Sequence, residues 1–520
     1  MINGIALTAA ALITRLLTVV FNVYLTERVG AAGVGLFSLV MSVYSLAVTF
    51  ASSGIYLAST RIISGQIVKN SAKGVKRALW YCTLYAFFFG VLASVLLFAF
   101  AEKIALFWLS DIRTLSSLRI LALSLPPIAV SGALSGYFSA VRRVVKNAVT
   151  NVSEQLLRMF FTAFLLVMAR SGNIESALCS IVTGITLSEF LALLTSFMLF
   201  LLDRKKLDGM AQPPCGGIFS VLIKTALPVA VSSYVRSALM TLEHVLIPKA
   251  LMRGGLGNRE SLASYGVIAG MVLPVIFFPM ALLTSFTGLV VPEITRYQAR
   301  GENMQIKYVT RRVLSFTAVF SFLISALLVY FANSLGILLY DSPEAGGYIR
   351  IFALLIPVMY TDNAADAVLK GLGLQVSSMR YNIIDAAVSV ILVILLLPRL
   401  GIAGYVVVIY VCEALNACLS LQKLLRTVKP GVDPVRCILL PSLAAVGAAS
   451  TFSLIAYFTN IGFYKGAFGI AAGFVCITIL YYAFLRLLGA VTKEDEKWLV
   501  FAILGKVAEK RFEIRQTFSQ

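Results

Sequence analysis

From Val313 to Tyr340 the chain runs 28 residues without a formal charge. An α-helix needs only ~20 apolar residues to cross the hydrocarbon core of a membrane. Similar apolar runs, separated by short polar or basic segments, recur from one end of the sequence to the other. They predict about fourteen helical spans, near 4–26, 36–64, 78–101, 115–141, 152–170, 174–202, 218–248, 261–291, 313–338, 347–369, 381–398, 401–423, 437–459 and 464–488. A transmembrane β-barrel would instead alternate apolar and polar residues in segments of ~10, and that alternation is absent. The fold class is therefore all-α and polytopic. Pro126, Pro127, Pro228, Pro274, Pro279 and Pro357 fall inside predicted spans, where freed carbonyls need other partners.

Composition agrees, with 59% hydrophobic residues, 13% charged residues and a mean hydropathy of +0.90. No cleavable leader is expected, because "MINGIALTAA" lacks a basic start and its apolar run continues too far. The seven cysteines form no C-x-x-C pair and read as small apolar residues. A single histidine, His244, excludes a His-rich metal site.

The net charge of +20 changes the picture only through its distribution. Thirty of the 44 Lys and Arg fall on one side of the predicted spans, counting Arg158 with that side, and nine fall on the other. The positive-inside rule then puts both termini in the cytoplasm. The charge marks topology and attraction to anionic membrane lipids, and excludes nucleic acid as a partner.

Short matches recur at an offset of 235. Thr60-Arg61 repeats as Thr295-Arg296, and Lys76-Arg77 as Arg311-Arg312. Gly136, Val141 and Asn147 repeat as Gly371, Val376 and Asn382. An offset of six spans keeps both copies in one orientation, which predicts two parallel six-helix lobes with a transport site between them. The expected domains are an amino-terminal lobe at 1–202, a cytoplasmic linker at 203–217, a second lobe at 218–426, two additional spans at 437–488, and a basic amphipathic cytoplasmic tail at 489–520.

Polar residues inside the spans carry the candidate chemistry. Arg15 lies within "ALITRLLTVVFNVYL", on one helical face with Leu12, Thr18 and Asn22. It either hydrogen-bonds carbonyls of a neighbouring helix or lines a wet cavity that binds an anionic group. Arg61 and Arg236 join it as candidate substrate-binding cations. Glu243 lies seven residues beyond Arg236, on the same face, with His244 next to it as a neutral packed imidazole. Asp362 and Asp366 are an i, i+4 pair followed by Lys370. They read either as an internal salt link or as a relay for protons or cations. Asn382, Asp385, Glu413 and Glu189 complete the interior set. No P-loop, G-x-S-x-G or zincin motif is present, so the chain is not read as an enzyme.

Three stretches resemble the stage V sporulation protein B type of polysaccharide exporter. They are "ITRLLTVVFNVYLTERVGAAGVGLFSLVMSVYSLAVTFASSGI" (13–55), "GMVLPVIFFPMALLTSFTGLVVPEI" (270–294) and "LKGLGLQVSSMRYNIIDAAVSVILVILLLPRLGIAGY" (369–405). That type belongs to the multidrug/oligosaccharidyl-lipid/polysaccharide (MOP) flippase superfamily, alongside MurJ-like lipid II flippases. The resemblance implies fourteen helices in two lobes that alternate between inward- and outward-open states. It implies an undecaprenyl-pyrophosphate-linked saccharide as substrate, resembling lipid II, in the plasma membrane of a bacterium. Thr14-Arg15 matches the Ser-Arg whose arginine MurJ-like flippases require, while Phe21-Asn22 replaces their Arg-Asp. Glu243, Asn382 and Asp385 are the nearest matches to a sodium site of that family, so sodium, protons or the membrane potential are the expected drive, with no cofactor. The prenyl tail is expected to stay in lipid along spans 13 and 14, and the protein to act as a monomer near a cell-wall polymerase. Two alternatives stand beside this reading: a cation-coupled multidrug exporter on the same scaffold, and a non-transporting partner of a polymerase.

Overall fold

Proline and glycine set where the long apolar runs bend. A computed structural model describes residues 2–52, 54–68, 71–169, 173–204, 218–459 and 466–491. The described chain is helical almost throughout. Helix α1 (Ile2–Ser52) breaks at Gly30, and α2 (Ile55–Val68) follows a second bend at Gly54, so the span expected at 36–64 is a jointed one. Helix α3 (Ala72–Lys103) is capped by Ser71, whose hydroxyl accepts from the Gly74 amide, and runs on through a wider turn to Leu109. Next come α4 (Leu115–Ala122) and α5 (Leu125–Ala140), bent by 43° where Pro126 and Pro127 open α5. Then follow α6 (Val144–Met168), α7 (Ile174–Arg204), α8 (Ile218–Arg253) and α9 (Asn258–Gly266).

Pro274 and Pro279 break the next run into a short α10 (Leu273–Phe277) and α11 (Met280–Ala299). Helix α12 (Asn303–Tyr340) is uninterrupted. Helices α13 (Pro343–Ala353) and α14 (Ile356–Gly371) are bent by 54°, with Pro357 at the joint. Helix α15 (Gln375–Val428) holds two expected spans and breaks at Gly401, just after Pro398. Helices α16 (Leu440–Thr459) and α17 (Gly466–Leu487) close the described chain. Among the described residues nine helices are long and apolar enough to cross a membrane, or eleven with the two bent pairs. The element order is compatible with fourteen spans. The expected linker from Lys205 onward and the expected tail from Thr492 onward lie outside the described residues.

Contacts divide the chain into two compact units. The amino-terminal unit holds Ala9–Gly270 and Ala386–Val408; the other holds Met271–Asp385, the described chain from Ile409 onward, and the start of α1 up to Thr8. Each unit contains one copy of the duplication. The stretch 72–109 matches α12 at 303–340, and α5 at 125–140 matches α14 at 356–371, an offset of 231. Ser110 and Asp341, both in the left-handed region, occupy equivalent corners. At those corners Asp111 N–H donates to Ala105 O, and Ser342 N–H to Gly336 O. The offset of 235 survives at one contact. Thr60 Oγ1 donates to Gly136 O at 3.2 Å, and Thr295 Oγ1 to Gly371 O at 2.9 Å. A Cβ on either glycine would press on the facing helix, at Tyr56 O in one unit and Val291 O in the other. The helix ends thus repeat at 231 and the tight crossing at 235, a slip of four residues, about one helical turn.

The added pair α16–α17 packs on α12. Phe331, Ala444, Ala448, Phe452, Ile477 and Tyr481 form a buried cluster there, and Tyr481 Oη donates to Val319 O at 2.9 Å. At the matching place on α3, Phe100 is 48% exposed whereas Phe331 is 0% exposed.

Candidate functional site

Three of the four residues expected to bind substrate are arginines, and all three lie in the amino-terminal unit, on α1, α2 and α8. Arg15, Arg61 and Arg236 are exposed, and none has a hydrogen bond or ion pair among the described residues. Around Arg15 the threonine hydroxyls are already satisfied. Thr14 Oγ1 donates to Ala10 O and Thr18 Oγ1 to Thr14 O, each at 2.8 Å. Asn22 is half-buried, and its main-chain carbonyl accepts from Thr26 Oγ1. The large exposed apolar side chains near Arg15 are Ile13, Leu16 and Val20. At ~100° per residue their stripe centres about 130° around α1 from Arg15. Arg15 instead shares its face with Leu12, Thr18, Val19 and Asn22, all half-buried. Helix α8, which carries Arg236, meets the start of α2 where a Cβ on Gly54 would contact Ala226 O, and Tyr234 Oη donates to Phe50 O at 3.4 Å.

The acidic candidates divide between the units. In the amino-terminal unit Glu243 Oε1 accepts from Ser389 Oγ at 2.6 Å, and Tyr265 Oη lies 2.9 Å from His244 Nδ1, so the imidazole is packed as expected. Ser389 stands one helical turn beyond Asp385 on α15. In the other unit Asn382 Nδ2 donates to Ser378 O at 2.9 Å, within its own helix. Asp362 Oδ2 accepts from Asn416 Nδ2 at 3.0 Å, joining α14 to α15. Asp366 pairs with Lys370 Nζ at 2.6 Å, an internal salt link, and accepts from the Ser378 hydroxyl.

One cluster escaped the sequence reading. Arg158, counted above with the basic ends, lies well inside α6, ten residues before its end at Met168. It bridges Glu154 at 2.7 Å and Glu189 of α7 at 2.8 Å. Nearby, Tyr44 Oη and Ser124 Oγ share a hydrogen bond at 2.5 Å. The i, i+4 spacing of Glu154 and Arg158 was the available signal. At the start of the same helix Lys146 reaches Asp203 Oδ1 at 2.8 Å, and Arg143 pairs with the same carboxylate.

Jointed apolar helices and a repeated helical pattern describe a multi-pass membrane protein, and its matches make it a transporter of the MOP superfamily. The chain belongs to the polysaccharide biosynthesis protein family, whose model matches residues 1–280, while the MatE model matches residues 248–395. It is 24% identical over 404 residues to stage V sporulation protein B of Bacillus subtilis (strain 168), covering 76% of this chain and 78% of that protein. Its fold is similar to that of the lipid II flippase MurJ in an inward closed conformation, with TM-score 0.72, 14% identity, and 93% and 98% of the two chains covered. It is also similar to a multidrug resistance MATE family transporter in an inward-facing conformation, with TM-score 0.66, 11% identity, and 80% and 94% covered.

Proposed function

We propose that this chain translocates an undecaprenyl-pyrophosphate-linked saccharide across the bacterial cell membrane by alternating access, with both termini in the cytoplasm. The observation that carries the reading is Arg15. An ionised guanidinium inside an apolar span costs at least several kcal/mol when it faces hydrocarbon. This one lies away from its helix's exposed apolar stripe and has no described partner, so it is available to an anionic ligand. A pyrophosphate carries about two negative charges and cannot cross hydrocarbon bare. Bidentate guanidinium groups replace its water, and Arg61 and Arg236 are the further cations available, with Asn22 as an amide donor. Glu243, with its Ser389 partner, is the group assigned to ion coupling; Asn382, Asp385 and Asp362 are assigned supporting roles. Anionic lipids surround the basic ends, and a polymerase of the cell wall would consume the product.

The test is transport in proteoliposomes of a fluorescent lipid-linked saccharide, comparing Arg15→Ala with Arg15→Lys. The expected result is loss of transport in the first and partial retention in the second. Full transport by Arg15→Ala sinks the assignment.

A second reading, a cation-coupled multidrug exporter, draws on the MATE fold similarity and the match at 248–395. The cationic residues within the spans weigh against it, since cationic drugs favour acidic, aromatic sites. Resistance conferred on a drug-sensitive host, with no flipping of lipid-linked saccharide, would establish it instead.

A further inference from the structure

On the amino-terminal unit α3, α5 and α7 leave a groove of about 610 Å³ between them. Its walls are apolar and aromatic, with Trp80 and Thr83 from α3, Leu134 from α5, and Phe190 and Phe197 from α7. Among the described residues the one charged residue lining it is Lys76, half-buried, at the start of α3 where Lys73 and Arg77 also cluster. Along α7 the lining runs from Phe190 to Phe200, ten residues, or about 15 Å at 1.5 Å per residue. That is half of the ~30 Å hydrocarbon core, the depth of one leaflet. Trp80, one turn deeper than Lys76 and 65% exposed, has the amphipathic ring that favours the headgroup boundary. The groove therefore has the dimensions of one lipid chain and a single cation at the level of one phosphate.

We propose that this groove is a binding site for an anionic phospholipid, with one acyl chain against the Phe190–Phe197 wall and the phosphate on Lys76. A long polyprenyl tail does not match it, because the lining ends at mid-membrane. A zwitterionic lipid matches it less well, because its terminal ammonium would meet Lys73 and Arg77. The site is separate from Arg15 and does not depend on the identity of the transported molecule.

Trp80 is one of three tryptophans, so Trp108→Phe with Trp498→Phe leaves it as the sole reporter in the full-length protein. The variant is reconstituted in phosphatidylcholine vesicles containing a small fraction of chain-brominated lipid, either phosphatidylglycerol or phosphatidylcholine. Brominated phosphatidylglycerol is expected to quench Trp80 with about five-fold higher apparent affinity, the effect of one lysine beside an anionic headgroup. Lys76→Gln is expected to reduce that preference to the phosphatidylcholine level, with the unquenched emission spectrum unchanged as the check on folding. Equal quenching by the two lipids overturns the proposal, as does a preference that survives Lys76→Gln. Displacement of brominated phosphatidylglycerol by an equal amount of polyprenyl phosphate would assign the groove to a prenyl chain and overturn it as well.

Discussion

Replacing Gly266 with alanine tests the packing of α1 on α9 within the amino-terminal unit. A Cβ at Gly266 would sit 2.1 Å from Ala31 O and 2.7 Å from Gly35 N, where ordinary contact begins at 3.4 Å. The two backbones would have to part by more than 1 Å, close to the break of α1 at Gly30 and the end of α9. Overpacking of this kind costs about 1–3 kcal/mol. If the parted arrangement escapes that clash, its population relative to the closed one rises about 5- to 150-fold. Nitroxide labels on exposed Arg28→Cys and Arg259→Cys, in an otherwise cysteine-free protein, report the separation by pulsed electron resonance. One distance is expected with Gly266 and a second, longer population with Gly266→Ala. Gly288→Ala is the control, since a Cβ there meets nothing within 4 Å. An unchanged distance distribution together with an unchanged melting temperature for Gly266→Ala would refute the reasoning.

Arg158→Ala leaves Glu154 and Glu189 without their shared counter-charge. A loss of about 3 kcal/mol is expected, the low end for breaking a buried pair, because Arg158 and Glu154 keep 22% and 26% side-chain exposure. Thermal unfolding in detergent checks it: Arg158→Lys should recover part of the loss, and an unshifted transition for the alanine variant counts against the bridge. Phe331→Ala empties the centre of the α12–α16–α17 cluster and should cost about 3–5 kcal/mol, read the same way. A change below about 1 kcal/mol there would mean the cluster collapses on the vacancy. Glu243→Gln keeps an acceptor for Ser389 but removes the charge. Transport should persist at a reduced rate and lose its response to an imposed sodium or proton gradient, and an unaltered response rules Glu243 out of coupling.

Spans were legible because an apolar run long enough to cross a membrane has few alternative folds. Two joints were legible too, since Pro126, Pro127 and Pro357 mark the start of a second half-helix, whereas the joint at Gly54 was not and Pro228 lies in an unbroken α8. The register of the duplication was not. Matching residues at Thr60 and Thr295 reported a helix crossing, and crossings slip by a turn while preserving their face. Helix ends fix the register at 231, and short dipeptide matches do not record them. The partners of Arg158 were not legible for a related reason. Charge counting assigns a basic residue to the nearer loop and does not register its two carboxylate partners, one of them on another helix. Asp366 shows the converse: its partner Lys370 stood in plain view four residues on. The residues that share a face with Arg15 followed from the spacing of Leu12, Thr18 and Asn22, while the satisfaction of its threonine neighbours by their own backbone is not written in that spacing.

The cladding of α12 by α16 and α17, against the bare flank of α3 where Phe100 stays 48% exposed, makes unequal twins of the duplicated helices. A lipid or a partner protein drifting along the bilayer meets a furnished wall at one twin and an open one at the other. Whatever interchangeability the repeated pattern would give the two helices, the appendage removes it.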